Sequence, residues 1–151
     1  MRWLFPIILA GGCGTMTIRA GAVKIGDRAA FQASIAVGVA LGNRQSVQLV
    51  HEHGVTVLDR AAYVGAMGAD LVITNKDNDN DVPTACIGPR VRFDDASAAV
   101  LATGCLFTGV GADPKTHSGG LGFELGAGVD TRTGDAVLET SVVRHGRWPV
   151  F

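Results

Sequence analysis

The sequence predicts an all-β protein, folded as an antiparallel eight-stranded up-and-down barrel, and three observations carry that expectation. Residues 119–129 alternate strictly, with Leu121, Phe123, Leu125, Ala127 and Val129 on one parity and Gly120, Gly122, Glu124, Gly126 and Gly128 on the other. Side chains alternate faces along a strand, so this is a ribbon with one apolar and one nearly bare face, two sets that a helix would mix. The pattern recurs at 31–41, where Phe31, Ile35, Val37 and Leu41 oppose Gln32, Ser34, Gly38 and Ala40. It recurs again at 84–93, where Ala85, Ile87, Val91 and Phe93 oppose Cys86, Gly88, Arg90 and Arg92. Finally, the chain divides into about eight ribbons of roughly ten residues, the number and length of a minimal closed membrane barrel. Closure removes unpaired strand edges. Arginine and glutamate beside glycine predict a wet or salt-bridged small face, and the opposite face suits lipid or a packed core.

In chain order, 17–25 is the first ribbon and turns at Gly26, Asp27 and Arg28 into 31–41. Gly42, Asn43 and Arg44 form the next turn, because glycine and asparagine accept positive φ cheaply. Residues 46–57 place Val47, Leu49, His51, His53, Val55 and Val57 on one parity, and 61–73 is the fourth ribbon. The Asn/Asp-rich run 75–81 breaks the alternation and is expected to be a solvated loop. Ribbons at 84–93, 98–110, 119–129 and 136–144 follow, with a second long loop at 111–118. Two segments also read as capped, alanine-rich helix starts, at Asp27 and at Asp59, the latter followed by Arg60, Ala61, Ala62 and Tyr63. On that reading 59–70 is helical and the chain is α/β.

The totals bound the rest. At 151 residues the chain is one domain by length. Thirteen Lys+Arg against fourteen Asp+Glu give a net charge of −1 with no basic run, so a nucleic-acid partner has no electrostatic support. With 21 glycines, 47% apolar and 18% charged residues, the composition is that of a strand- and turn-rich chain. Three cysteines, Cys13, Cys86 and Cys105, show no metal-ligand spacing, and a Cys86 to Cys105 bridge is open.

Residues 1–13 read as one positive charge, an apolar run and small residues ending in cysteine. This resembles a short secretory signal, and 9–13 is similar to a bacterial lipoprotein cleavage box with Cys13 as the lipidated residue. The expected organisation is an export segment at 1–16 followed by a single β domain at 17–151. The same residues, 6–15, also resemble the opening strand and glycine loop of sugar-phosphate nucleotidyltransferases, which implies a nucleotide-binding α/β domain using the 9–15 loop.

Residues 122–148 resemble the last hairpin of small eight-stranded outer-membrane β-barrel proteins. Residues 31–49 are similar to an earlier hairpin of that group, and Phe151 resembles its aromatic C-terminal residue. The resemblance implies an exported chain in the cell outer membrane, with membrane lipid as its partner, no cofactor, and a structural, adhesive or envelope-interaction role. It also implies aromatic girdles, from which this chain departs with one Tyr and two Trp. A second resemblance is to hexapeptide-repeat left-handed β-helices, through Ile25, Phe31, Val37, Asn43, Leu49, Val55, Ala61, Met67 and Ile73 at six-residue intervals, apolar except Asn43. It implies a trimeric, cytoplasmic acyltransferase acting on a sugar.

Candidate chemistry is sparse, and no catalytic residue is assigned. His51 and His53 put two imidazoles on one strand face, a spacing able to hold zinc or copper if further ligands join. In the acyltransferase alternative one of them is the general base. Asp77, Asp79 and Asp81 offer oxygen ligands to calcium, without the glycine and terminal glutamate of the helix-loop-helix site. Ser118 and Ser141 lack the histidine and acid pattern of an activated nucleophile.

Overall fold

The structure is a computed structural model, and it describes residues 13–41, 45–57, 61–77, 80–94, 98–112 and 119–149. Eight strands follow one another: β1 (Cys13–Ile25), β2 (Arg28–Leu41), β3 (Gln45–Val57), β4 (Ala61–Asp77), β5 (Asn80–Asp94), β6 (Ala98–Phe107), β7 (Gly120–Asp130) and β8 (Ala136–Pro149). Each pairs antiparallel with the next, and β8 pairs with β1, closing the barrel. Closure satisfies every strand edge within the chain.

The register fixes the barrel's shape. Stepping across paired residues from Thr15 leads through Gly38, Val50, Gly68, Arg90, Leu101, Gly128 and Val137, and returns to β1 at Ile25. One circuit therefore ends ten residues further along β1. With strands rising about 3.3 Å per residue and spaced about 4.8 Å, that stagger corresponds to a tilt of about 40°. The interior of such a barrel is only wide enough to be filled by side chains.

The two faces sort as the alternation dictates. Every strand turns a large apolar residue outward: Ile18, Ile35, Leu49, Met67, Ile87, Leu106, Leu125 and Val142, with Leu125 65% exposed and Leu106 69% exposed. The opposite parity points into the lumen and carries Arg19, Glu52, Asp70, Arg90, Arg92, Glu124 and Glu139, all buried. A water-soluble domain has this arrangement reversed. Phe31, Tyr63 and Phe93 lie near the β1–β2, β3–β4 and β5–β6 turns, so three of the few aromatics gather at one end of the outer surface.

Several expectations need correction. No helix occurs among the described residues, and 61–70 is strand, because the β4 backbone is taken up by ladders to β3 and β5. That removes the α/β fold, and the antiparallel closed sheet removes the left-handed β-helix, which is built from parallel coils. The polar run at 75–81 is not a loop throughout: Asn75, Lys76 and Asp77 continue β4 and pair with Val82, Asp81 and Asn80 of β5, after a register shift between Ile73 and Thr74. At the N-terminal side, β1 starts at Cys13, four residues before the expected Thr17, and β8 runs on to Pro149. Gly26 adopts φ 56 in the two-residue β1–β2 turn, a conformation that glycine takes without a Cβ clash.

Candidate functional site

The lumen holds the densest polar cluster in the described chain. Arg19 on β1 grips Glu124 on β7 with two parallel bonds, Nε donating to Oε1 at 3.0 Å and Nη2 to Oε2 at 3.1 Å. From β5, Arg90 donates through Nη1 to Glu124 Oε1 at 2.6 Å and through Nη2 to Asp70 Oδ2 at 3.3 Å. Glu52 completes the group, its Oε2 lying 3.4 Å from Arg19 Nη1 and 3.7 Å from Arg90 Nη1. Its other oxygen accepts a short hydrogen bond from Ser34. Five strands are thus tied across the barrel by two guanidiniums and three carboxylates. The planar fork of arginine suits such bidentate pairing.

A second cluster sits nearer the opposite end. Arg92 Nη1 is 3.0 Å from Asp94 Oδ2, its Nε is 3.0 Å from Glu139 Oε1, and its Nη2 donates to Thr56 Oγ1 at 3.2 Å. Val23, Ala99, Leu101 and Val137 form an apolar plug beside it. Toward the chain termini, the Gln48 amide donates to His145 Nε2 at 3.3 Å, which leaves Nδ1 to carry the proton and donate to Thr17 Oγ1 at 3.0 Å. Between His145 and the first cluster lies a cavity of about 10 Å³, lined by Asp70, Gln48, Thr17 and the Cys86–Cys105 disulfide. That is room for about one water molecule, beside an Asp70 Oδ1 with no hydrogen-bond partner among the described residues. Among the described residues, buried side chains from all eight strands fill the lumen.

The expected sites fall in different places. His51 and His53 point outward from the middle of β3, with ring centroids 4.3 Å apart, and His53 Nδ1 is 2.6 Å from the Tyr63 hydroxyl. No third His, Cys, Asp or Glu joins them among the described residues. Asp77 ends β4 and Asp81 is the second residue of β5, while Asp79 and the side chains of all three calcium candidates lie outside the described residues. Cys13 is the first residue of β1, with its side chain outside the described residues, as is Ser118. Ser141 is buried in the lumen and has no hydrogen bond to a histidine among the described residues. Of the 9–15 loop, residues 13–15 are strand backbone paired to 38–40 and 147–149, so their N–H groups serve the sheet.

Arg90, Arg92 and Glu124 belong to the charged small face that the alternation predicts, whereas Arg19, Glu52, Asp70 and Glu139 lie outside the three ribbons that carry that expectation. Each sits at the inward parity of its ribbon, and Arg19 and Asp70 lie between apolar outward neighbours, which is the signal that marks them. The chain matches no protein-family model and no curated protein.

Proposed function

We propose that this chain is an exported outer-membrane β-barrel whose role is structural, adhesive or envelope-interacting, with the barrel as anchor rather than conduit. The observation that carries the reading is the outward apolar belt, present on all eight strands, around a lumen of ion pairs. Such a belt exposed to water would aggregate, whereas hydrocarbon satisfies it, and backbone closure meets the demand that no polar group face lipid unpaired. Three aromatics at one end supply part of an interfacial girdle.

The packed lumen argues against a pore. Salt-bridged side chains fill the cross-section, so the folded barrel in a planar bilayer is expected to show no steady ion current. Function then falls to the outer surface and the connections between strands.

The test is topographic. Single cysteines at 121–126, on a background with the native cysteines replaced, are reconstituted in phospholipid vesicles and labelled with a fluorophore. A lipid-phase quencher should reach Leu121, Phe123 and Leu125 positions and spare Gly122, Glu124 and Gly126. A protein that stays monomeric without detergent and shows no quenching at any position overturns the reading.

A further inference from the structure

Polar groups interrupt the belt on two strands: Thr140 and Arg144 on β8, and a histidine pair on β3. His51 is the central residue of the thirteen in β3, flanked on the outer surface by Val37 and Met67, and His53 lies between Ile35 and Gly65. Both imidazoles are exposed at mid-height, where neither water nor lipid tails can hydrogen-bond to them. The arrangement is built rather than incidental. Tyr63 reaches back over Gly65, where a side chain would collide with the Phe93 ring and the tyrosine hydroxyl, and bonds His53 Nδ1. That contact occupies Nδ1 and leaves Nε2 without a hydrogen bond to any described residue, as donor or acceptor according to the tautomer. His51 has no hydrogen bond to any described residue.

We propose that this β3 face is a self-association surface: two copies meet there in the membrane, and the imidazoles of His51 and His53 in one hydrogen-bond to those of the other. The inference rests on the membrane reading above. Copies inserted in the same orientation hold each residue at the same depth, so a histidine at mid-height finds its own counterpart at mid-height. A neutral imidazole carries one donor and one acceptor, which makes the pair self-complementary about a two-fold axis. Ala33, Gly65 and Ala69 beside the histidines let the two surfaces approach closely. A metal shared by the four rings would bring an uncompensated double charge into hydrocarbon, so direct ring-to-ring bonding is favoured.

The experiment uses the full chain with Cys13→Ser and the Cys86–Cys105 disulfide retained, reconstituted dilutely in phosphatidylcholine vesicles that are first checked by flotation. A cysteine at Leu49, on the β3 face, should give a cross-linked dimer with a short bifunctional thiol reagent. One at Leu125, on β7 across the barrel, should not. His51→Leu with His53→Leu suits the lipid face and should preserve insertion while weakening association about tenfold, the scale of two hydrogen bonds in a bilayer. Tyr63→Phe should weaken it less, by freeing the His53 ring. Equal cross-linking at both positions, none at either, or dimers unaffected by the double leucine variant overturns the proposal while leaving the barrel in the membrane. Dimers dispersed by a chelator overturn it in favour of a bridging metal. Failure to float overturns the membrane reading and this inference together.

Discussion

Arg90 Nη1 lies 2.6 Å from Glu124 Oε1, joining β5 to β7 across the lumen over the intervening β6. Glu124 also takes both bonds of the Arg19 fork, so it makes the closest contacts to both guanidiniums, which Glu52 approaches only at 3.4 and 3.7 Å. Removing it leaves two buried cations held only by the longer contacts to Glu52 and Asp70. Glu124→Ala should therefore destabilise the barrel by about 3 to 5 kcal/mol, the cost of stranding a buried charge. Asp70→Asn should cost much less, since Asp70 makes one long bond to Arg90 and its other oxygen is unpaired. Urea unfolding in vesicles checks both, and equal losses would show that the network is not centred on Glu124.

Leu125 sits 65% exposed near the middle of β7. Replacement by arginine should cost about 2 to 4 kcal/mol if the side chain faces mid-bilayer hydrocarbon. Leu125→Ala should cost far less than a core truncation, because lipid fills the space. The same unfolding assay decides, and a loss of core size for the alanine variant would mean that protein, not lipid, covers this face.

Cys86 and Cys105 are direct cross-strand partners on β5 and β6, bridged and buried in the lumen. A reductant cannot reach the sulfurs without opening the barrel. The folded protein in detergent should resist dithiothreitol, and gel-shift alkylation should reveal two new thiols only after denaturant is added. Removing both cysteines should lower stability by about 2 to 4 kcal/mol. Ready reduction of the folded form would place the bridge at a breathing seam.

Export makes a separate prediction. Expressed in a bacterium, the chain should be recovered with membranes and shortened before Cys13 or a little later, which intact-mass measurement reads directly. Intact Met1 on a freely soluble product contradicts export.

Much of the fold was legible because alternation is a local property. Residues 119–129 disclose their two faces without any knowledge of their neighbours, and 31–41 does the same. The run 75–81 misled because asparagine and aspartate disfavour strands, yet ladder bonds such as Asp77 with Asn80 carry β4 and β5 past the apolar belt. Polar composition there marks where the belt ends, not where the strands end. The candidate site was less legible for a geometric reason. Which of Arg19, Glu52, Asp70 and Glu124 meet depends on tilt and register, and these are set only when β8 finds β1. His51 and His53 could be placed on one face from sequence, but not at the centre of the belt or within reach of Tyr63.

The ten-residue advance from Thr15 to Ile25 makes the molecule a closed screw thread. Each strand's position is determined by the sum of the other seven, so no hairpin can shift alone. A single-residue slip anywhere would turn one strand inside out, presenting arginine to the outside and leucine to the lumen, and would also leave the final seam out of phase. Changes of chain length are therefore permitted in connections such as 108–119, whereas within the staves they need a local irregularity such as the register shift between Ile73 and Thr74. Sequence drift in this protein should be read chiefly as loop growth on a wall of nearly fixed residue count.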